Sequence, residues 1–379
     1  MWQDVKNVHH FFSSVLANVW YGFPSKKLTV IGVTGTDGKT TTVNLIYHIL
    51  KNVGYEVSMI SSVGAVINGK KYDIGFHVTT PSAWQIQKFL TKAKGCLILE
   101  VTSHALDQYR VWGIDFAVGV LTNITNEHLD YHKSYDNYVR TKVRLLKKAK
   151  IAVVNRDDDS YGVISNKFIT YGIKNKADVT PKVFPFKTKL IGDFNKYNIL
   201  AAVTACRQLG VSDDKIRYAI ETFTLPVGRA EVMHEDNFTV MIDFAHTPNA
   251  LEQILRSLRP EIKGRIIHVF GSAGERDRQK RPKMGEVSAK YADVIVLTAE
   301  DPRSESMEKI MEDIELGIQN KTVIKITDRQ EAITAAIKMA KKGDFVLLTG
   351  KSHEQSMNYG KGEEPWNEFD AVKQALKEL

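Results

Sequence analysis

The sequence has little cysteine and no long apolar run. Cys96 and Cys206 are its two cysteines, which excludes both a disulfide framework and a zinc site built from cysteines. No stretch approaches the roughly 20 apolar residues that a helix needs to cross a bilayer, and the N-terminus lacks the arrangement of a signal peptide. We therefore predict a cytoplasmic protein with no membrane span and with buried, reduced thiols.

The charge pattern does not indicate nucleic-acid binding. Lysine and arginine together number 52 against 44 aspartates and glutamates, which gives a formal net charge of +8. The basic residues are dispersed among acidic ones, and no array of aromatic and basic residues appears. We predict small-molecule substrates that are themselves acidic, and no nucleic-acid partner.

Short β-branched runs alternate with helical patterns along the chain, which is typical of parallel, doubly wound sheets. The runs form two series, and 379 residues suffice for two domains of ordinary size. We predict an α/β fold with an N-terminal helical segment at 1–27, a central domain at 28–227 and a C-terminal domain at 228–379. The runs are 28–33, 57–61, 96–101, 117–121 and 151–154 in the first series, and 239–243, 265–270, 294–297, 323–326 and 345–348 in the second.

The N-terminal segment has one apolar face at near-helical spacing. We predict a helix that packs on the central domain. A helix on a membrane surface is the alternative, because Lys26 and Lys27 follow the aromatic residues. The face consists of Val8, Phe11, Phe12, Val15, Leu16, Val19 and Trp20.

Residues 30–42, VIGVTGTDGKTTT, are typical of a nucleotide-phosphate loop between a buried strand and a helix. Gly35 and Gly38 allow the backbone to turn its N–H groups toward anionic oxygens, Lys39 supplies a charge for the β- and γ-phosphates, and Thr40 supplies a hydroxyl for Mg²⁺. The first glycine of the usual spacing would fall at Val33, so this is a variant loop. An ordinary strand-to-helix turn is the weaker alternative.

Two polar clusters follow later strands, at the sheet edge where ligands bind in α/β folds. Glu100 interrupts an apolar run, and a buried charge is costly unless it is paired or binds metal. We predict that Glu100 binds Mg²⁺; a structural ion pair is the alternative. His128 follows the next such run and is a candidate ligand, although a lone histidine is more often a capping or core residue.

A series of motifs resembles those of one enzyme family. GTDGKTTT is similar to the ATP loop of the Mur ligases and of their relatives the folylpolyglutamate synthases. Further motifs occur in the order seen in MurE-type ligases, which add an amino acid to UDP-N-acetylmuramoyl-dipeptide, and the resemblance extends over residues 28–379. They are EVTSHALDQYRV, TNITNEHLDYH, FNKYNILAA, VGRAE, DFAHTPNAL, GSAGERDRQKRPKM, EDPRSE and GKSHE.

The resemblance implies a fold, a reaction and cofactors. The fold is a P-loop, doubly wound central ATPase domain followed by a Rossmann-like C-terminal ligase domain. The reaction is ATP-dependent amide-bond formation through an acyl phosphate, in peptidoglycan precursor synthesis, with ATP and Mg²⁺ bound. In the family, D-N-P-R with G-K-G-H-E accompanies meso-diaminopimelate, which is therefore the favoured amino acid. Here Asp301 stands in place of the asparagine and Ser352 in place of a glycine.

The resemblance also implies roles for individual residues. The catalytic group is Lys39, Glu100, His128 and Lys142, and the metal would bind Thr40, Glu100, His128 and Lys142, the last as a lysine carbamylated by CO₂. The ATP contacts are Gly35, Thr36, Asp37, Gly38, Lys39, Thr40, Thr41, Asn198, Arg229, Asp243 and His246. The acceptor contacts are Thr79, Thr80, Ser103 and Arg110. The contacts of the incoming amino acid are Arg276, Asp301, Arg303, Gly350 and Glu354.

One departure from the family concerns the N-terminus, where only some 27 residues precede the first predicted strand. The N-terminal domain that grips UDP in MurE-type ligases is therefore expected to be lacking. A separate protein could supply UDP recognition, the remaining contacts could suffice, or the acceptor could be something other than a UDP-sugar.

Two other functions are alternatives to a MurE-type ligase. A folylpolyglutamate-synthase-like enzyme adding glutamate, or another amide ligase of the superfamily, is disfavoured by EDPR and GKSHE. A non-catalytic ATP-binding partner is disfavoured because Lys39, Glu100, His128 and Lys142 are all present and two cysteines cannot build a zinc ribbon.

Overall fold

The computed structural model describes residues 2–75, 79–125, 127–164 and 168–379. The chain divides into two compact units, one formed by Met1–Leu190 with Phe194–Pro226 and the other by Ile191–Asp193 with Val227–Leu379. Each unit contains a sheet whose strands are mostly parallel, which confirms the predicted α/β fold. In the part of the chain described, no helix is both long and apolar enough to cross a bilayer.

The first unit is built on an eight-stranded sheet in the order β4-β3-β2-β5-β1-β6-β7-β8. Its strands are β1 (Thr29–Thr34), β2 (Val57–Ser61), β3 (Gly64–Ile67), β4 (Lys70–Tyr72), β5 (Cys96–Glu100), β6 (Phe116–Leu121), β7 (Ala149–Asn155) and β8 (Ile169–Tyr171). Its helices are α1 (Trp2–Tyr21), α2 (Lys39–Asn52), α3 (Ala83–Lys92), α4 (Ser103–Asp107), α5 (Leu129–His132), α6 (Tyr135–Lys148), α7 (Asp193–Arg207) and α8 (Asp213–Thr222). Short 3-10 helices lie at Pro24–Lys27 and Asp159–Val163.

The central strand β1 shows how this sheet separates two cores. Side chains alternate across a strand, so Ile31 and Val33 pack beneath α2, α7 and α8 while Val30 packs with α3 on the opposite face. Strands β5 and β6 flank β1 and run parallel to it. The carboxyl ends of β1, β5 and β6 therefore lie side by side.

Between residues 6 and 21, helix α1 packs on the rest of the first unit through one side. Phe11 makes edge contacts with Tyr109 and Trp112, with ring centroids 5.4 and 5.5 Å away, and Asn18 donates to the carbonyl of Trp112. The opposite side carries exposed apolar residues. These are Val8, Phe12, Leu16, Val19 and Trp20.

The second unit contains a six-stranded sheet in the order β13-β12-β11-β14-β10-β9 and a two-stranded ribbon of β15 and β16. Its strands are β9 (Glu231–Glu235), β10 (Thr239–Asp243), β11 (Ile266–Phe270), β12 (Val294–Leu297), β13 (Thr322–Lys325), β14 (Phe345–Thr349), β15 (Ser356–Asn358) and β16 (Glu363–Pro365). Its helices are α9 (Pro248–Leu258), α10 (Lys280–Tyr291), α11 (Met307–Glu315), α12 (Arg329–Met339) and α13 (Glu368–Lys377), with a 3-10 helix at Arg259–Glu261.

A buried ion pair joins two helices to the sheet of the second unit. The guanidinium of Arg329, at the start of α12, donates to Glu368, at the start of α13, from Nε at 2.8 Å and from Nη2 at 2.5 Å. Neither side chain is exposed. Arg329 also donates to the carbonyls of Ala299 and Thr349, which follow β12 and end β14. A single guanidinium therefore ties together two helix starts and two strand ends.

We predict that Glu368→Gln lowers the free energy of unfolding by about 3–5 kcal/mol, because it leaves the Arg329 guanidinium buried without its anion. The matched control is Glu378→Gln, which breaks an exposed pair with Lys338 between the same two helical regions. That change should cost less than about 1 kcal/mol. Urea unfolding followed by far-UV circular dichroism measures both, and equal effects would contradict the prediction.

Candidate active site

At two positions, the loop between β1 and α2 lies so close to neighbouring side chains that only glycine fits. Gly35 has φ 154°, and a Cβ there would lie 1.8 Å from Oγ1 of Thr122. Gly38 has φ 79°, and a Cβ there would lie 2.2 Å from Oδ1 of Asn198, on α7. Both the backbone conformation and the lack of space explain the two glycines.

The end of β6 fixes the shape of this loop. Asn123 accepts from the amides of Thr36 and Asp37, each at 2.9 Å, through its carbonyl and its side chain respectively. Thr122 Oγ1 donates to the carbonyl of Asp37 at 2.7 Å. Helix α2 begins directly afterwards, and the first amides of a helix have no intrahelical acceptor and lie at the positive end of its dipole. The loop is therefore a rigid cradle that suits an anion such as phosphate.

Lysine and threonine side chains complete the cradle. Lys39 Nζ lies over the loop and donates to the carbonyl of Thr36 at 2.7 Å. Thr40 and Thr41 are buried in the first turn of α2. Thr40 Oγ1 donates toward both carboxylate oxygens of Glu100, at 3.1 and 3.0 Å, and hydrogen-bonds with Ser62 Oγ at 2.8 Å. The structure thus brings together the phosphate loop and the acidic end of β5.

Glu100 is a buried carboxylate, 1 % exposed, whose partners are a hydroxyl and an amide. The amide of Ser62 donates to its Oε2 at 3.0 Å. Within the described ranges, no lysine, arginine or histidine forms an ion pair with it. Among the described residues, Glu100 therefore does not form the structural ion pair that was the alternative to metal binding. A buried carboxylate beside a hydroxyl suits Mg²⁺, which prefers oxygen ligands.

The described residues contain no group of three histidine, cysteine, aspartate or glutamate side chains arranged to hold a metal ion. This still fits Mg²⁺, because that ion usually takes one or two carboxylates and completes its shell with water and substrate phosphates. His128 precedes α5 with φ 55°. Its ring lies 4.9 Å from that of His104 and 6.2 Å from that of Tyr138. His128 therefore lies in a cluster of rings, and its role as a ligand stays a prediction.

Lys142, on α6, is a buried lysine that contacts the backbone of the loop. It is 1 % exposed, its Nζ donates to the carbonyl of Gly35 at 2.6 Å, and it lies 4.5 Å from the centre of the Tyr138 ring. Burial, and next the charge of Lys39, hold the pKa of Lys142 well below its usual range. This shift favours the neutral, nucleophilic form of the amine over its charged form.

Three of the residues predicted to contact the acceptor meet beyond β5. Thr80 Oγ1 donates to the carbonyl of Glu100 at 2.9 Å, and Arg110 Nη1 donates to the carbonyl of Thr80 at 2.7 Å. Ser103 Oγ hydrogen-bonds with Nε2 of His132 at 3.0 Å. Thr79 is half-buried and precedes Thr80.

Sequence reasoning did not single out two neighbours of this cluster. Gln108 Oε1 accepts from Nε and Nη2 of Arg110, at 2.9 and 2.6 Å, and so sets the direction of the guanidinium. Burial lowers the pKa of His132 to about 4, so its ring is neutral at physiological pH. Gln108 lies in the motif EVTSHALDQYRV and His132 in TNITNEHLDYH. Their presence in these motifs was the sequence signal that could have identified both residues.

In the second unit, three predicted nucleotide contacts meet at the end of β10. Asp243 accepts from the amides of Ala230 and Ala245, each at 2.8 Å. Burial raises the pKa of Asp243, and the charge of Arg229 opposes that shift. Phe244 contacts both Arg229 and His246. The Arg229 guanidinium lies 4.6 Å from the centre of the Phe244 ring, and His246 Nδ1 lies 2.9 Å from the Phe244 carbonyl oxygen. Asn198, predicted to belong with them, lies in the first unit against Gly38.

The residues predicted to bind the amino acid lie after β11, β12 and β14. Arg303 has φ 53°, its Nη1 donates to the carbonyl of Gly274 at 2.6 Å, and its amide donates to the carbonyl of Asn358. Gly350 has φ 103°, and a Cβ there would lie 2.3 Å from Oε2 of Glu300. Arg276 is exposed in the loop after β11.

Lys351 connects two more of these residues, and sequence reasoning did not identify it. Its Nζ donates to Asp301 at 3.0 and 2.9 Å and to Glu354 at 2.7 Å. It lies within GKSHE, next to Gly350. The structure therefore brings Asp301, Gly350 and Glu354 together around one buried lysine.

Comparison with known proteins identifies two family domains in the chain. Residues 33–206 match the Mur ligase middle domain, and residues 228–352 match the Mur ligase, glutamate ligase domain. The chain is 40% identical over 388 residues to the UDP-N-acetylmuramoyl-L-alanyl-D-glutamate--2,6-diaminopimelate ligase of Aquifex aeolicus, covering 95% of this chain and 80% of that protein. It is 38% identical to ligase 1 of the same name from Clostridium acetobutylicum, covering 97% of this chain and 82% of that protein.

Solved structures of similar proteins have the same fold. A structure of UDP-N-acetylmuramoyl-L-alanyl-D-glutamate--2,6-diaminopimelate ligase is 29% identical, with a TM-score of 0.59, and the match covers 93% of this chain and 78% of that one. MurF from Acinetobacter baumannii has a TM-score of 0.73 at 16% identity, with 96% and 80% covered. At 16% identity, the match to MurF shows a shared fold and nothing about activity.

We predict that Gly38→Ala weakens ADP binding at least about tenfold, which corresponds to about 1.4 kcal/mol, because the new Cβ would displace Asn198 or the loop. Gly54→Ala is the matched control at the other end of α2. Gly54 also has a positive φ, 88°, but has nothing within 4 Å of the added carbon. Both variants should lose about 1–2 kcal/mol of stability from the left-handed backbone. Isothermal titration calorimetry with ADP should separate them; equal ADP affinities would contradict the prediction.

Proposed function

The chain belongs to the Mur ligase family, and on that basis we propose that it is a cytoplasmic, ADP-forming ligase of the MurE type. Its reaction would add meso-diaminopimelate to UDP-N-acetylmuramoyl-L-alanyl-D-glutamate in peptidoglycan precursor synthesis. The proposal is carried by one observation: a chain 40% identical to a ligase named for that reaction has a phosphate loop in its first unit and has Arg303 and Glu354 in the loops of its second unit.

The chemistry requires activation of a carboxylate, because its oxygen is a poor leaving group. A carboxylate oxygen of the acceptor attacks the γ-phosphorus of ATP, and the bond from that phosphorus to the β–γ bridging oxygen breaks. ADP departs, and the acceptor carboxylate has become an acyl phosphate. The amine of the incoming amino acid then attacks the acyl carbon, and inorganic phosphate departs as the amide forms. Lys39 and the amides of the loop stabilise the charge on the transferred phosphoryl group.

Thr40 and Glu100 are the residues that would hold Mg²⁺ in the first unit. When bound, the ion would neutralise phosphate charge and hold the phosphates in line for attack. The support for this assignment is the buried Glu100 carboxylate, which has a hydroxyl and an amide as partners but no cationic side chain among the described residues. His128 is retained as a proposed ligand from its motif.

Thr80, Ser103 and Arg110 would bind the acceptor. Arg110 is held by Gln108 and by the carbonyl of Thr80, so little conformational freedom remains to be lost when it binds an anionic group. A fixed guanidinium suits bidentate binding of a carboxylate or phosphate.

Lys142 would carry a carbamate formed by attack of its amine on CO₂, with release of one proton. The support is a lowered pKa, which favours the neutral amine that reacts with CO₂, and a position beside Gly35 of the loop. The modification would convert a buried amine into an anionic oxygen donor suited to Mg²⁺.

We predict that Lys142 incorporates ¹³C from labelled bicarbonate and that the carbamate signal is visible by ¹³C NMR of the intact protein. Lys142→Gln should abolish the signal, since an amide does not react with CO₂. The matched control is Lys148→Gln, which removes another lysine of the same helix whose pKa burial also lowers. A signal that survives Lys142→Gln, or is absent from the unmodified protein, would remove the carbamate from the mechanism.

Amino-acid-dependent phosphate release from ATP tests the function directly. The assay offers diaminopimelate, lysine and glutamate with UDP-N-acetylmuramoyl-dipeptide and with its UDP-free analogue. We predict a preference for diaminopimelate, and we predict that Arg303→Ala lowers kcat/KM for it more than tenfold, because a desolvated charge-assisted contact to a carboxylate contributes about 2–5 kcal/mol. Use of lysine, which has no distal carboxylate, should stay nearly unchanged.

Two controls accompany this assay. Lys39→Ala should release no phosphate with any amino acid, whereas Arg256→Ala, an exposed arginine on α9, should behave as the unmodified enzyme. A preference for glutamate would indicate a folylpolyglutamate-synthase-like ligase. Phosphate release that depends on no amino acid would contradict ligase activity altogether.

A further inference from the structure

Tyr138, on α6, is a buried residue to which the proposed mechanism assigns no role. Its side chain lies in an apolar cluster with Leu121 and Val139. Its hydroxyl is 3.2 Å from Oγ1 of Thr36, in the phosphate loop, and the centre of its ring is 4.5 Å from Nζ of Lys142. One side chain therefore contacts both the phosphate loop and the lysine beside it.

We propose that Tyr138 is a positioning residue that holds the phosphate loop in its nucleotide-binding shape. Its hydroxyl fixes Thr36, and its ring keeps the amine of Lys142 against the carbonyl of Gly35. The inference rests on the proposed function in one respect, because that function assigns the loop to ATP. The positioning itself is a property of the protein without nucleotide and can be measured there.

The hydroxyl completes the set of contacts around Thr36. Thr36 Oγ1 also accepts from the amide of Thr125, at 3.0 Å, in the segment after β6. The amide of Thr36 donates to the carbonyl of Asn123, and its carbonyl accepts from Nζ of Lys39 at 2.7 Å. A shift of Thr36 would therefore move the backbone of the loop together with the lysine that would bind phosphate.

Packing alone does not explain this hydroxyl, because a phenylalanine would fill the same space in the apolar cluster. Burying a hydroxyl costs free energy unless it has a hydrogen-bond partner. Thr36 Oγ1 is that partner, 102 positions away along the chain. The bond therefore ties α6 to the phosphate loop and constrains where the loop lies.

The ring limits where the amine of Lys142 can lie. Tyr138 and Lys142 are four positions apart on α6, a spacing at which side chains of a helix meet. Nζ donates to the carbonyl of Gly35 at 2.6 Å, which is its one hydrogen bond within the part of the chain that the structure describes. A lysine side chain has many rotamers, and the adjacent ring removes some of them. The ring is itself packed, with its centroid 5.1 Å from that of His132.

The test measures hydrogen–deuterium exchange of the loop amides in the ligand-free protein and the Kd for ADP by calorimetry. Tyr138→Phe removes the hydroxyl and keeps the ring. It should speed exchange at Thr36 and Asp37, and it should weaken ADP binding about three- to tenfold, as expected for the loss of one buried hydrogen bond. Tyr138→Leu removes the hydroxyl and the ring, and it should have the larger effect on both measurements.

The matched control is Tyr135→Phe, on the same helix. The hydroxyl of Tyr135 donates to the carbonyl of Ile124 at 3.0 Å, so this change also removes a hydrogen-bonded hydroxyl, but one whose partner lies outside the phosphate loop. Exchange at the loop amides and the affinity for ADP should be unchanged in this variant.

A Lys142→Met background tests whether the ring acts through the lysine. If it does, Tyr138→Leu should weaken ADP binding no more than Tyr138→Phe does in that background, because the contact that distinguishes them is already lost. A larger effect of Tyr138→Leu there would overturn the role assigned to the ring.

Faster exchange confined to the loop is the expected result, because a merely structural role would speed exchange throughout the chain and lower the free energy of unfolding in urea. Loop exchange in Tyr138→Phe equal to that of the unmodified protein would overturn the inference. If Tyr138→Leu does not fold, the comparison of Tyr138→Phe with Tyr135→Phe still decides. If the unmodified protein does not bind ADP, the proposed function fails, while exchange at the loop amides still tests the positioning role.

Discussion

The close approach between the phosphate loop and the end of β6 is the constraint on which the first unit's candidate site depends. Thr122 and Asn123 bond to the backbone of residues 36 and 37, and the space they occupy excludes any side chain at Gly35. The same turn exposes the carbonyl of Gly35 to Lys142. A loop held from outside in this way loses little entropy when it binds phosphate, which is the physical meaning of preorganisation.

Two buried ionisable groups near this loop are satisfied mainly by neutral partners. Glu100 accepts from a hydroxyl and an amide, and Lys142 donates to a carbonyl. Neutral partners offset only part of the cost of burying a charge. The two groups differ: burial lowers the pKa of Lys142 and so favours its uncharged amine, while Glu100 lies where an added cation would be stabilised. A buried carboxylate and a buried amine of lowered pKa beside one anion cradle are groups suited to metal-assisted phosphoryl chemistry.

The sequence was sufficient to predict the parts of the fold that depend on local pattern. The strands that carry the motifs are long, apolar runs, so β1, β5 and β10 could be predicted with the residues that follow them. The short hairpin of β3 and β4 and the edge strand β9 were not predicted, because they are short and partly exposed, as the pattern of β4 shows. The partners of the site residues could not be predicted either. That Thr122 reaches Asp37, or that Lys351 reaches Asp301, depends on strands meeting in space, and no spacing along the chain encodes it.

In the second unit, the buried guanidinium of Arg329 contacts both the sheet and the starts of the loops that carry the proposed amino-acid contacts. Arg329 binds the carbonyls of Ala299 and Thr349, which immediately precede Glu300 and Gly350. Those residues begin the two loops whose backbones adopt positive φ at Asp301, Arg303 and Ser352. Strained conformations of this kind each cost about 1–3 kcal/mol and survive only where the surroundings over-determine them. Arg329, paired with Glu368, fixes the residue before each loop and so limits how far the backbone at the start of both loops can move.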